Sequence, residues 1–320
     1  MKLENRRRIL TTHLSIILVL FLLQFVVPPF HATMLTRIMV FATYAVGYNL
    51  LLGYTGLMSL GHAMFFSTGL YTTGLTIYYL DLGIVEAFLL GILASFVISA
   101  LMAFITLRTS GVFFLIITMI FSQVFYLTTL YFNNVTYGDQ GFVLTGKLKP
   151  LELAGIIIDF SSNVVKYNFA LTLFAFSFLL NLRLVNSAFG RILVAIRENE
   201  EKAEMLGYNT LGFKRLALIF SGIIAGISGS AYALIFSYVG SSFAFIHNSI
   251  NPLLWTLLGG AGTTIGPLVG TGLMLYLIDF TSSLTPHYPI LVGAMLIAVI
   301  LGFPPGVVGG IRRRWLKWLP

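Results

Sequence analysis

Apolar runs of about 20 residues follow one another through nearly the whole 320-residue chain, each the length at which an α-helix covers the ~30 Å hydrocarbon core of a bilayer. The two-residue alternation of a transmembrane barrel is absent, so the runs require helices. Hydrophobic residues make up 58% of the sequence and charged residues 9%, with a mean hydropathy of +0.93, beyond the ~45–50% apolar share of soluble domains. The expected fold is an all-α, polytopic transmembrane helical bundle forming a single domain over residues 1–320.

One segment breaks the pattern. Nine of the thirty Lys, Arg, Asp and Glu residues fall in the 25 positions from Arg191 to Arg215. Each Arg, Lys or Asp at a bilayer centre costs roughly 2.5–3.5 kcal/mol, so this stretch must be an aqueous element held between helices. Basic residues also flank the bundle, with Lys2, Arg6, Arg7 and Arg8 before the first run and Arg312, Arg313, Arg314 and Lys317 after the last. Under the positive-inside rule both termini are cytoplasmic. Contact with anionic membrane lipid accounts for the net charge of +8, and no nucleic-acid signature accompanies it.

Starting inside, the expected spans are 9–28, 35–53, 62–80, 84–107, 111–132, 164–182 and 214–239. This places residues 183–213 in the cytoplasm and the 133–163 connection outside, with Arg37, Lys147, Lys149 and Lys166 on the outer side against the rule. The remainder must return to a cytoplasmic Arg312. Three short spans (248–262, 264–282, 287–303) make ten crossings, the expected count; the alternative, a re-entrant hairpin plus one span, makes eight.

Two Gly-rich breaks echo one another, Leu51-Leu52-Gly53-Tyr54-Thr55-Gly56 and Leu257-Leu258-Gly259-Gly260-Ala261-Gly262, each followed by a further glycine, Gly61 or Gly266. Broken helices in both halves of a transporter are where irregular backbone lines a pathway, because free amides and carbonyls are tolerated only against water or protein. Gly53, Tyr54, Gly56, Ser59, Gly61, His62, Gly259, Gly260, Gly262 and Gly266 are therefore candidate pathway residues, with tight helix packing as the competing reading. Gly222 and Gly226 form a GxxxG whose expected role is helix contact.

Positive signs of catalysis are lacking. There is no cysteine, no metal-ligand spacing among the five histidines, and no nucleophile triad. Gly141 to Lys147 matches the start of a phosphate loop, but Leu148 replaces the Ser or Thr that would hold Mg²⁺, and the segment lies outside. Any ATP and Mg²⁺ are thus used by another subunit, and this chain is expected to bind no cofactor. His62 reads as a hydrogen-bonded structural imidazole in preference to a proton relay.

From Arg191 the charged segment is helical in pattern, with Ile192, Ile196, Ala203 and Leu206 on one face and a Glu198–Lys202 pair on the other; Gly207 stops it. The run FGRILVAIRENEEKAEMLGYNTLGFKRLALIFSGIIAGISG resembles the cytoplasmic loop and following helix of branched-chain amino acid ABC importer permeases of the M type. GYNLLLGYTGLMSLGHAMFFSTGLY, TYGDQGF, LLGGAGTTIGPLVGT and GFPPGVVG are similar to the same family, in the same order. The resemblance implies a permease working with a second permease, two cytoplasmic ATP-binding subunits and an extracytoplasmic binding protein in a bacterial inner membrane. Residues 183–213 are then a coupling loop, with Arg197, Glu198, Glu200, Glu201, Lys202, Ala203 and Gly207 as its ATPase-facing candidates. Asn251 stands where relatives often carry an acid, and Pro305 where they carry Arg, which leaves urea or short amides as alternative substrates. An ion-coupled secondary carrier is the alternative of a different class.

Overall fold

The computed structural model describes residues 3–153, 156–302 and 304–315, so Lys2 and Lys317 lie outside the described residues. In chain order the helices are α1 (Leu3–Leu23), α2 (Pro29–Asn49), α3 (His62–Leu80), α4 (Ile84–Thr106), α5 (Gly111–Tyr131), α6 (Asn133–Thr136), α7 (Asn163–Asn186), α8 (Ala188–Glu198), α9 (Glu200–Met205), α10 (Thr210–Phe236), α11 (His247–Gly259), α12 (Gly266–Leu284), α13 (Tyr288–Gly302) and α14 (Gly306–Arg314). Proline at the first position opens α2, where its missing N–H is harmless. Helix α2 then widens into a π turn over Leu50–Tyr54.

Among the described residues, six helical segments are long and apolar enough to cross a membrane: Pro29–Tyr54, α4, α5, α7, α10 and α12. Burial sorts them. The apolar stretches of α2 and α10 are 83% and 78% buried, against 28% for α4 and 17% for α5, so the first two form the centre and the last two the rim. On the rim, Leu93, Phe96, Leu101, Phe113, Ile120 and Val124 are all exposed, an apolar belt that water would not tolerate and lipid requires. The protein is an all-α polytopic membrane bundle.

Small residues let the centre close. Helix α10 packs on α2, α3 and α4, and its Gly222, Gly226 and Gly229 fit where any Cβ would collide with Ser99, Ser95 and the Phe66 carbonyl respectively. The GxxxG of Gly222 and Gly226 is thus a packing device, as expected. Gly226→Ala would force the Ser95 side chain off the Gly91 carbonyl, to which it donates at 2.8 Å. Overpacking of this kind costs about 1–3 kcal/mol, and a lower melting temperature in detergent is the expected reading.

Two departures from the expected fold come from the loops. Strand β1 (Phe142–Val143) pairs antiparallel with β4 (Tyr238–Val239), and β2 (Leu151–Leu153) with β3 (Ile156–Ile158), giving the 133–163 connection short ladders that so brief an apolar pattern does not announce. Lys147 donates to the Tyr78 carbonyl at 3.0 Å and lies 4.1 Å from the centre of the Tyr78 ring, and Lys149 pairs with Asp81. The lysine of the phosphate-loop look-alike therefore ties the connection to the end of α3.

The last third folds back on the bundle. Helix α11, with 13 residues, is about 20 Å long at 1.5 Å per residue, close to the short span expected over 248–262 and below the ~30 Å of a hydrocarbon core. Residues 237–246 must carry the chain down from β4 to its start. Its far end meets α14, which packs on α11 and α12.

Candidate functional site

The two Gly-rich breaks meet each other. A Cβ on Gly53 would overlap the Gly262 amide nitrogen and the Asn49 side chain, so the two backbones touch with nothing between them. Asn49, wholly buried, clips them: its Nδ2 donates to the Thr263 carbonyl and its Oδ1 accepts from the Gly262 N–H, both at 2.9 Å. Both ends of one amide are satisfied by backbone that a regular helix would have occupied internally. Thr263 donates to the Gly260 carbonyl at 2.7 Å and accepts from the Gly266 N–H at 3.1 Å, tightening the second break.

Cations from two further elements close over this contact. Arg197, in the last turn of α8, donates through Nη1 to the Gly53 carbonyl at 2.5 Å, and Arg312 of α14 donates to the Gly262 carbonyl at 3.1 Å. Gly56 makes room for the Arg197 stem: its φ is +76°, and a Cβ there would stand 2.8 Å from Arg197 Cγ. Gly260 lies against the backbone of Gly306 and Gly309, and Gly259 against the Gly266 carbonyl. From α1, His13 Nδ1 donates to the Ile9 carbonyl, leaving Nε2 to accept from Thr264 Oγ1 at 2.7 Å.

The charged segment is two helices, where one was expected. Ser187 caps α8 and Asn199 caps α9, its Oδ1 accepting from the Lys202 N–H at 2.9 Å. Asn199 takes an extended conformation (φ −165°, ψ 104°) that breaks the helix, because Asn competes for backbone donors and favours caps. The expected Glu198–Lys202 pair consequently does not form, and Glu198 binds Arg197 at 2.7 Å. Glu200 pairs with Lys214 at the start of α10, and Thr210 donates to Glu204 at 2.6 Å. Ala203, Ile196 and Leu193 face inward. Leu206, expected on the inner face, is 75% exposed and Met205 84%. Gly207 turns the chain at φ +86°. Glu198, Glu201 and Lys202 are exposed beside this apolar tip.

A family model described as the permease component of branched-chain amino acid transport systems matches residues 30–301. The chain belongs to that family. Over 292 residues, 85% of this permease and 68% of the relative, it is 26% identical to the high-affinity branched-chain amino acid transport system permease protein LivM of Salmonella typhimurium. It is 25% identical to the Escherichia coli LivM over the same shares. LivH of Salmonella typhimurium is 24% identical over 84% of this permease and 91% of its own length. No solved structure matches the permease.

The ten pathway candidates fall into two groups in this permease. Gly53, Tyr54, Gly56, Gly259, Gly260, Gly262 and Gly266 form the closed cluster around Arg197 and Asn49. Ser59, Gly61 and His62 lie higher on α3 and its approach, where Tyr48 donates to the Ser59 carbonyl at 2.8 Å and a Cβ on Gly61 would strike the Thr118 carbonyl. His62 is wholly buried, with Nε2 2.7 Å from Ser221 Oγ. Since Ser221 donates its own proton to the Gly47 carbonyl at 2.6 Å, His62 is the donor to Ser221, a structural bond joining α3, α10 and α2. The sequence marks Arg312 only as a cytoplasmic flank, and does not mark Asn49 or His13 as site residues. Asn49 alone carried a signal, an amide inside an apolar run immediately ahead of LLGxxG.

Proposed function

We propose that this permease is the transmembrane subunit of an ATP-driven importer for branched-chain amino acids, and that the Gly53–Gly262 contact is its cytoplasmic gate. It pairs with a second permease, receives substrate from an extracytoplasmic binding protein, and is driven by two cytoplasmic ATP-binding subunits, since it carries no phosphate loop of its own. It sits in a bacterial-type plasma membrane with both termini inside. The chain makes ten legs, with residues 237–246 completing the leg of α11. The observation that carries this reading is Arg197. One guanidinium on the coupling loop holds the Gly53 carbonyl and lies 3.0 Å from where a Cβ on Gly262 would stand, so displacing the loop pulls on both breaks.

Docking falls to the loop tip. Met205 and Leu206 stand exposed beside Glu201 and Lys202, an apolar centre with a charged rim, as protein interfaces are built. Truncating such anchors costs about 2 kcal/mol or more. The double variant Met205→Ser with Leu206→Ser, and separately the charge reversal of Glu198 and Glu201 to Arg, should therefore abolish co-purification of the ATPase. Unchanged association in both would sink the docking assignment. Leucine uptake at full rate by the permease reconstituted without any ATPase would sink the importer reading itself.

A further inference from the structure

A cavity of about 500 Å³ opens between α2, α11, α12 and α13, away from the gate. Its walls carry Phe41, Trp255 and Leu296, and one side chain of each charge, Arg37 and Asp279. Nine residues into α2, Arg37 lies about 12 Å below the outer end of that helix, and Asp279 about 8 Å below the outer end of α12. An ionisable group at such depth is costly and is retained for function or a partner. No ion pair joins the two among the described residues; the Arg37 guanidinium lies 5.7 Å from the centre of the Phe41 ring, and both residues line the cavity. The outer-side arginine that ran against the positive-inside rule thereby acquires a reason.

We infer that this cavity is an amino-acid subsite, in which Arg37 binds the substrate α-carboxylate, Asp279 the α-ammonium, and the Phe41, Trp255 and Leu296 wall the aliphatic side chain. The inference rests on the importer reading and names where its substrate sits while the Gly53–Gly262 gate is closed. A zwitterion is the ligand class that uses both charges at once, since a guanidinium forks onto a carboxylate and a carboxylate accepts from an ammonium. Asn251, held by Asn248 at 3.2 Å, contributes a neutral amide on the same wall. With no acid at this position, Asp279 supplies the single negative charge that an α-ammonium needs. Urea and short amides carry no charge and leave Arg37 and Asp279 uncompensated.

The test compares L-leucine with isoamylamine, which lacks the carboxylate, and isocaproate, which lacks the ammonium, on the full chain in lipid nanodiscs by saturation-transfer NMR. Arg37→Gln should weaken leucine about tenfold or more and leave isoamylamine unchanged; Asp279→Asn should weaken leucine similarly and leave isocaproate unchanged. Ligand-specific losses of this kind do not arise from misfolding, which would weaken all three together. Equal loss for all three, unchanged leucine affinity in both variants, or no leucine binding by the wild type overturns the subsite. Uptake by the assembled transporter separates the two readings. Leucine uptake that survives both substitutions with unchanged apparent affinity removes the subsite alone, whereas failure of the wild-type assembly to take up leucine removes the importer reading.

Discussion

In the proposed importer, replacing Arg197 with Ala should leave the permease folded and the ATPase bound and hydrolysing, while leucine uptake falls by more than an order of magnitude. The expectation follows from where the side chain's energy lies. Its pairing with Glu198 is exposed on the Glu198 side, where side-chain exposure is 68%, and such surface pairs contribute little to stability. Its bond to the Gly53 carbonyl is different, a charge-assisted contact worth about 1.5–3 kcal/mol that joins the loop directly to the first break. A conformational change reaches a distant site only through contacts that differ between the two states. Without this one, the loop can follow the ATPase while the two breaks stay shut. Arg197→Lys keeps a donor but not the planar fork, so it should recover part of the uptake. The measurement is leucine transported per ATP hydrolysed in proteoliposomes, and a ratio equal to wild type in Arg197→Ala would remove Arg197 from the coupling path.

The segments that the sequence announced well are those where one physical signal dominates. Long apolar runs reported α4, α5, α7, α10 and α12 to within a few residues, because length and hydropathy alone decide whether a helix crosses lipid. Helix α11 occupies most of the short span expected over 248–262 and stops at the glycine break that the sequence itself marks, with Gly260 at φ +117°. At the loop, periodicity passed smoothly through Asn199, and a cap that needs a side-chain acceptor at one position outweighed it. The contact between the two breaks is half legible. The repeated LLGxxG marks both breaks, yet that they touch one another through Asn49, more than 200 residues apart, and that Arg197 and Arg312 bond to them, is tertiary geometry that no local pattern carries. Arg197 is read in the sequence as facing a partner, and the structure adds a contact the sequence does not announce, its bond to the Gly53 carbonyl.

Asn49→Leu should be the most destabilising of the single substitutions considered, and it tests whether the two breaks are held by that amide. Leucine is close in size and suits a helix, so the change removes polarity with little change of shape. It strands the Gly262 N–H and the Thr263 carbonyl, both in buried residues, and each orphaned backbone group costs about 1–3 kcal/mol, so together about 2–6 kcal/mol. Asn49→Asp keeps the acceptor for Gly262 but points a carboxylate oxygen at the Thr263 carbonyl, a buried charge with no compensating donor. Both variants should melt earlier and, where the contact is the proposed gate, leak substrate in proteoliposomes. The neighbouring glycine supplies the control. A Cβ on Gly53 would overlap the Asn49 oxygen as well as the Gly262 nitrogen, so Gly53→Ala must disrupt the same clip from the other side. If the clip is one interaction, the double variant of Asn49→Leu with Gly53→Ala costs less than the sum of the two, with a coupling of about 0.5–3 kcal/mol. Strict additivity of the melting data would mean that Asn49 and Gly53 act separately, and the breaks would then be joined by packing alone.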